Sequence, residues 1–146
     1  MVIYQHIPKT GGTTLRYLIA RNVSPTVMAS VNDDALRANP AMIWHLGRVL
    51  PVIAGHQDFS GTVYKMIDRS VMHFTVLRDP VDRVISEYNY NEFPLSLEEY
   101  AQKKRNRNVQ TKYLTGGAVD VASAVKNLEE CHTTFGLLER FFKSIP

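Results

Sequence analysis

Hydrophobic residues in this chain gather in short solid runs, separated by polar clusters that contain glycine or proline. Val2-Ile3-Tyr4 opens the first run, Val52-Ile53-Ala54 forms a second, and Val71 to Leu77 (VMHFTVL) is apolar almost throughout. Such runs suit strands of a parallel sheet, which are buried on both faces. Strand one is placed at Val2 to Ile7, and Val71 to Leu77 reads as a central strand. Elsewhere the period changes: Leu15, Leu18 and Ile19 follow helical spacing, as do Val81, Val84, Ile85 and Tyr88. Helices are predicted from Thr13 to about Asn22 and from Pro80 until Asn91 to Pro94 breaks the pattern. Further helices are predicted over Leu97 to Lys104, Val109 to Leu114 and Val119 to Cys131. A short helix over Asp33 to Asn39 ends before Pro40. Thr133 to Leu138 reads as a last strand and Glu139 to Ser144 as a helix start. Strands alternating with helices predict an α/β fold with a parallel sheet. Ligands of such sheets bind at the C-terminal strand ends.

The sharpest motifs fall at those ends. After the first strand comes His6-Ile7-Pro8-Lys9-Thr10-Gly11-Gly12-Thr13-Thr14-Leu15. A strand, a glycine turn and a helix start make an anion site, because the helix N-terminus offers unpaired N–H groups and a positive dipole end. Gly11 and Gly12 let the backbone approach an anion closely. Lys9 adds a mobile charge, and Thr10, Thr13 and Thr14 add hydroxyls. The common nucleotide loop places its lysine after the second glycine; here Lys9 precedes both. A plain strand-to-helix turn with a surface lysine is the alternative.

The second motif is Arg78-Asp79-Pro80-Val81-Asp82-Arg83. Asp79 suits an N-cap and Pro80 the first helical position. From Asp79 to Ser86 an α-helix rises roughly 10 Å, so Arg78 and Ser86 can grip one phosphate along the helix flank. The competing reading pairs Arg78 with Asp79 or Asp82 and leaves Ser86 merely exposed.

Composition narrows the field. The 146 residues fit one domain, and 45% hydrophobic content supports a real core. A net charge of +3 leans toward anionic ligands without the signature of a nucleic-acid binder. The one cysteine, Cys131, excludes an internal disulfide and a cysteine zinc site, and no metal cluster is visible. No apolar stretch reaches transmembrane length. The first strand starts at Val2, which leaves no signal peptide, so a cytoplasmic protein is expected if Met1 is the native start. Oligomeric state is not legible.

Together the two motifs resemble the sulfotransferase family that uses 3′-phosphoadenosine-5′-phosphosulfate (PAPS). The likeness is to the branch with heparan sulfate 2-O- and 6-O-sulfotransferases and their bacterial relatives. His6 to Thr14 is similar to that branch's loop for the 5′-phosphosulfate, and Phe74 to Tyr88 to its 3′-phosphate element. Asn108 to Leu114 and Phe135 to Phe141 add supporting likeness. The resemblance implies a three-layer fold akin to nucleotide kinases and sulfuryl transfer to a hydroxyl, with a carbohydrate one candidate acceptor. It places Lys9 on the phosphosulfate, and Arg78 and Ser86 on the 3′-phosphate. Family catalytic domains usually continue beyond the equivalent of Pro146, so a fragment, a minimal member and a less active form all stay open.

Such transfer asks the protein mainly to position groups and neutralise charge. Lys9 suits charge growing on the oxygen between phosphate and sulfur, and the N–H groups of Gly11 to Thr14 suit the 5′-phosphate; no metal enters this account. His56 is the candidate base, because histidine titrates near neutral pH and Gly55-His56 leaves a strand end. Bacterial relatives are similar there. Asp58 is the second candidate. His6 and His73 are read as structural, His45 as ambiguous, and His132 lacks motif support. Lys103 to Arg107 reads as a solvated helix end or as attraction for an anionic ligand. Tyr88, Tyr90 and Phe93 are candidates for an acceptor cleft. Two rivals remain: an ATP-dependent small-molecule kinase, which the position of Lys9 disfavours, and a non-catalytic nucleotide-binding module, which has no use for a base.

Overall fold

The computed structural model describes residues 1–23, 28–32, 41, 45, 48–56, 70–91, 94–130 and 134–143. Five strands form one sheet: β1 (Val2–Gln5), β2 (Met28–Asn32), β3 (Val52–His56), β4 (Met72–Leu77) and β5 (Thr134–Leu137). The spatial order is β2-β3-β1-β4-β5, and every pairing is parallel. β1 therefore lies at the centre with β3 and β4 as neighbours, and Tyr4 sits level with Ala54 and Phe74. Strand one is two residues shorter than its pattern suggested, because the chain turns out of the sheet at His6. β2 was not anticipated, since Met28–Asn32 carries neither a solid apolar run nor clean alternation. The helix expected over Asp33 to Asn39 lies outside the described residues.

The helices are α1 (Gly12–Asn22), α2 (Pro80–Asn91), α3 (Leu97–Gln102), α4 (Val109–Thr115) and α5 (Val121–Glu130). The expected start of a last helix is a 3-10 segment, Leu138–Lys143. Asp79 caps α2 as its sequence suggested: its Oδ1 accepts from the N–H groups of Val81 and Asp82 at 2.9 and 3.1 Å. Ser96 and Glu99 form a capping box on α3.

Alternation along the strands sorts the two faces. Tyr4, Ala54 and Val76 are buried with Leu15 of α1, and Ile19, Phe74, Leu138 and Phe141 pack around them. Gln5 points the other way, and its Nε2 donates to the carbonyl of Tyr113 in α4 at 2.9 Å. With α1 on one face and α4 on the other, the arrangement has three layers, as expected. On the Gln5 side, the Thr75 hydroxyl donates to the Gln5 carbonyl at 2.9 Å and ties β4 to β1 at the end that carries the site.

Two buried histidines make the fold acid-sensitive. Burial lowers the pKa of His6 and of His73 from 6.5 to about 4. For His6, the positive charges of His56, Arg16 and Lys9 push in the same direction. The folded state thus binds fewer protons than the unfolded chain. The stability they confer is complete above the unfolded value near 6.5 and lost as pH falls toward about 4. Thermal melts should show the midpoint dropping by roughly 5–10 °C between about pH 7.5 and 4.5, on the order of a few kcal/mol. His73→Phe should flatten the drop. A midpoint unchanged down to about pH 4.5 would refute this coupling.

Candidate active site

Three adjacent strands, β3, β1 and β4, deliver their C-terminal ends to one cleft of about 860 Å³. From the β1 loop come Lys9, Gly11, Gly12, Thr13 and Thr14; from β3 comes His56; Arg78 follows β4, and Ser86 and Tyr90 project from α2. The two sequence motifs, after β1 and after β4, thus line the same space.

The β1 loop owes its shape to its backbone. Lys9 and Gly11 both adopt left-handed conformations, with φ of 66° and 81°. Gly11 tolerates this because it has no Cβ, and a Cβ there would lie 2.6 Å from Leu138. Lys9 is a non-glycine residue in that region, a conformation that needs support from its surroundings. Part of that support is a hydrogen bond from Arg78 Nη1 to the Lys9 carbonyl at 3.3 Å. The Gly11 carbonyl receives the Leu15 N–H at 3.1 Å and starts α1, and no side chain caps the first turn. Gly11, Gly12, Thr13 and Thr14 of this turn line the cleft. Thr10 is fully buried, and its hydroxyl donates to the Ile7 carbonyl at 2.8 Å. It braces the turn, while Thr13 and Thr14 reach the cleft.

Arg78 is held by its main chain. Its N–H donates to Gln110 Oε1 at 2.9 Å, and Gln110 Nε2 donates back to its carbonyl at 2.7 Å. This reciprocal clamp comes from α4. The neighbouring Asp79 N–H donates to Glu139 at 2.8 Å. Among the described residues no carboxylate forms an ion pair with Arg78, so the Asp79 or Asp82 pairing considered from sequence is not formed. Arg83 instead is the buried arginine of α2; it pairs with Glu87 at 2.8 Å and its Nη2 donates to the Asn106 carbonyl at 3.4 Å.

His56 ends β3 as an exposed residue at the cleft wall. Its Nδ1 lies 2.8 Å from the His6 carbonyl. A carbonyl can only accept, so Nδ1 is the donor in this contact and Nε2 is the ring nitrogen left for other partners. A base acting from this ring would use Nε2. His6 is buried, and its ring stacks on His56 with centroids 4.2 Å apart. Lys9 Nζ sits 3.8 Å above the ring of Tyr90, a cation–π contact.

The other candidates sort clearly. Asp58, Phe93 and His132 lie outside the described residues. His73 is buried in β4, as expected of a structural histidine, and His45 is exposed. Tyr88 donates to the Leu95 carbonyl at 2.7 Å and packs near Tyr100, so it belongs to the packing of α2 and α3. Of the basic run, Arg107 lines a separate, mostly apolar cleft beside α2. Lys112 donates to the Lys104 carbonyl at 2.8 Å. Sequence reasoning missed His6 as a cleft residue and Gln110 as the clamp on Arg78. His6 had a local signal, its place one step past β1, whereas Gln110 acts across 32 residues and has none.

The chain thus combines a parallel α/β sheet with a glycine loop, a helix N-terminus and a clamped arginine around one cleft. The chain belongs to the sulfotransferase family, whose profile matches residues 1–142. Among solved structures it is similar to mouse sulfotransferase SULT7A1 complexed with PAP, with a TM-score of 0.56 and 15% identity. That match covers 98% of this chain and 53% of the mouse chain, so the chain spans about half the length of that relative. At this identity the likeness concerns the fold. No curated protein sequence gives a significant match. Among the described residues, no helix is long and apolar enough to cross a membrane, and no group of three or more His, Cys, Asp or Glu could hold a metal ion.

Proposed function

We propose that residues 1–146 act as one sulfotransferase domain that transfers a sulfuryl group from PAPS to an acceptor hydroxyl, with His56 as general base. The observation that supports this reading is the convergence of the β1 glycine loop, Arg78 with Ser86, and His56 on one cleft. The cleft suits a doubly phosphorylated nucleotide. A Cβ on Gly11 or Gly12 would run into Leu138 or the His6 ring, so the loop backbone stays bare where an anion approaches. Arg78 and Ser86 offer a second set of donors on another wall.

When bound, the donor supplies the sulfuryl group and departs as adenosine 3′,5′-bisphosphate (PAP). Pro8 to Thr14 hold the 5′ end through first-turn N–H groups and the Thr13 and Thr14 hydroxyls. Arg78 and Ser86 hold the 3′-phosphate. Lys9 moves from the Tyr90 face toward the ligand and neutralises leaving-group charge. His56 Nε2 takes the acceptor hydroxyl proton as the new oxygen–sulfur bond forms. A carbohydrate is one acceptor class, and the fused charge and polarity of the cleft set no narrower choice. The carboxylate that a kinase would place on magnesium has no counterpart in Asp79, whose Oδ1 is committed to capping α2.

Thermal-shift measurement tests the nucleotide assignment. PAP should raise the melting midpoint several degrees more than AMP at equal concentration, because only PAP engages Arg78 and Ser86. Equal shifts would remove the 3′-phosphate assignment.

A further inference from the structure

We infer that His6 is the positioning residue for His56, holding its imidazole in one tautomer and one orientation against the glycine loop. This rests on the reading of His56 as the base. Three contacts converge. The His6 carbonyl takes the proton on His56 Nδ1 at 2.8 Å. The two rings stack at 4.2 Å with 29° between their planes. The Nε2 end of the His6 ring fills the space beside Gly12, where any Cβ would collide with it.

The backbone reinforces this link. The His6 N–H donates to the Gly55 carbonyl at 2.7 Å, so residues 6 and 55–56 are joined from both sides. His6 is therefore gripped by β3, by the start of α1, and by Tyr4, whose ring stacks 5.8 Å away. A base held this way needs no reorientation as the hydroxyl arrives. It also shares a rigid support with the loop that binds the anion, since Gly12 opens α1. The groups facing His6 are His56, Arg16 and Lys9, all basic, and burial keeps its ring neutral. A neutral ring beside His56 leaves room for the proton that His56 accepts.

The prediction separates planarity from bulk. In the whole chain, His6→Leu keeps the side-chain volume and loses the flat ring, whereas His6→Phe keeps the flat ring. Long-range proton–nitrogen NMR reads the His56 tautomer without any substrate. The wild type and His6→Phe should show His56 protonated at Nδ1, and His6→Leu should show mixed tautomers. Turnover in His6→Leu should fall about tenfold to a hundredfold through kcat. Its affinity for PAP should be unchanged, and His6→Phe should recover most of the loss. Identical His56 spectra and identical kcat in the two variants would overturn the inference. A wild-type His56 protonated at Nε2 would also overturn it. The NMR result stands apart from the assignment of the base. If His56→Ala retained turnover, the base reading would fail while the tautomer measurement still judged the role of His6.

Discussion

Replacing His56 with alanine should lower sulfuryl transfer by about a thousandfold, with PAP affinity changed by less than about twofold. The separation follows from the site's layout. His56 stands at the end of β3, while the loop after β1 and the Arg78–Ser86 flank, the proposed anion contacts, form other walls of the cleft. Its Nδ1 is committed to the His6 carbonyl, which leaves Nε2 as the nitrogen that can meet a hydroxyl. Labelled PAPS, screened against hydroxyl acceptors, gives the turnover, and calorimetry with PAP gives the affinity. Retained turnover would move the base elsewhere, with Asp58 next in line.

Lys9→Ala should cost about a hundredfold or more in kcat and only a modest amount in nucleotide binding. Lys9 rests with Nζ on the Tyr90 ring, so its charge is close to the cleft but not buried in an ion pair. Its backbone conformation is supported separately, through the Arg78 contact to its carbonyl. Alanine at φ 66° carries the same strain as lysine, so the loop's shape is not what the substitution tests. Lys9→Arg distinguishes charge from fit, since a larger planar cation restores the charge but not the compact ammonium. If Lys9→Ala turns over normally, Lys9 has no part in the chemistry.

Much of this architecture was legible because each relevant signal was local. Ile3 and Tyr4 in β1, and Thr75 and Val76 in β4, are buried on successive and so opposite faces of the sheet, and solid apolar runs report that environment. Asp79-Pro80 began a helix because cap chemistry acts within three residues. The glycine turn and the helix start after β1 were legible for the same reason, since they are contiguous in sequence. What stayed hidden depended on distance along the chain. β2 is paired by β3 rather than by any pattern of its own. Gln110 reaches Arg78 from a helix across the sheet, and the stacking of His6 on His56 exists only once β1 and β3 pair. Thr10 shows the opposite error: the motif suggested a hydroxyl for the ligand, and the turn uses it internally.

The parallel pairing of β3, β1 and β4 also bears on how the protein acquires its activity during folding. The glycine loop is made first, yet its histidine partner lies 50 positions later and its arginine partner 69 positions later. Closing segments of that length is the slow part of forming a parallel sheet. The cleft is therefore assembled only when β3 and β4 have docked on either side of β1, and the segment after edge strand β5 completes it, since Leu138 lines the same space.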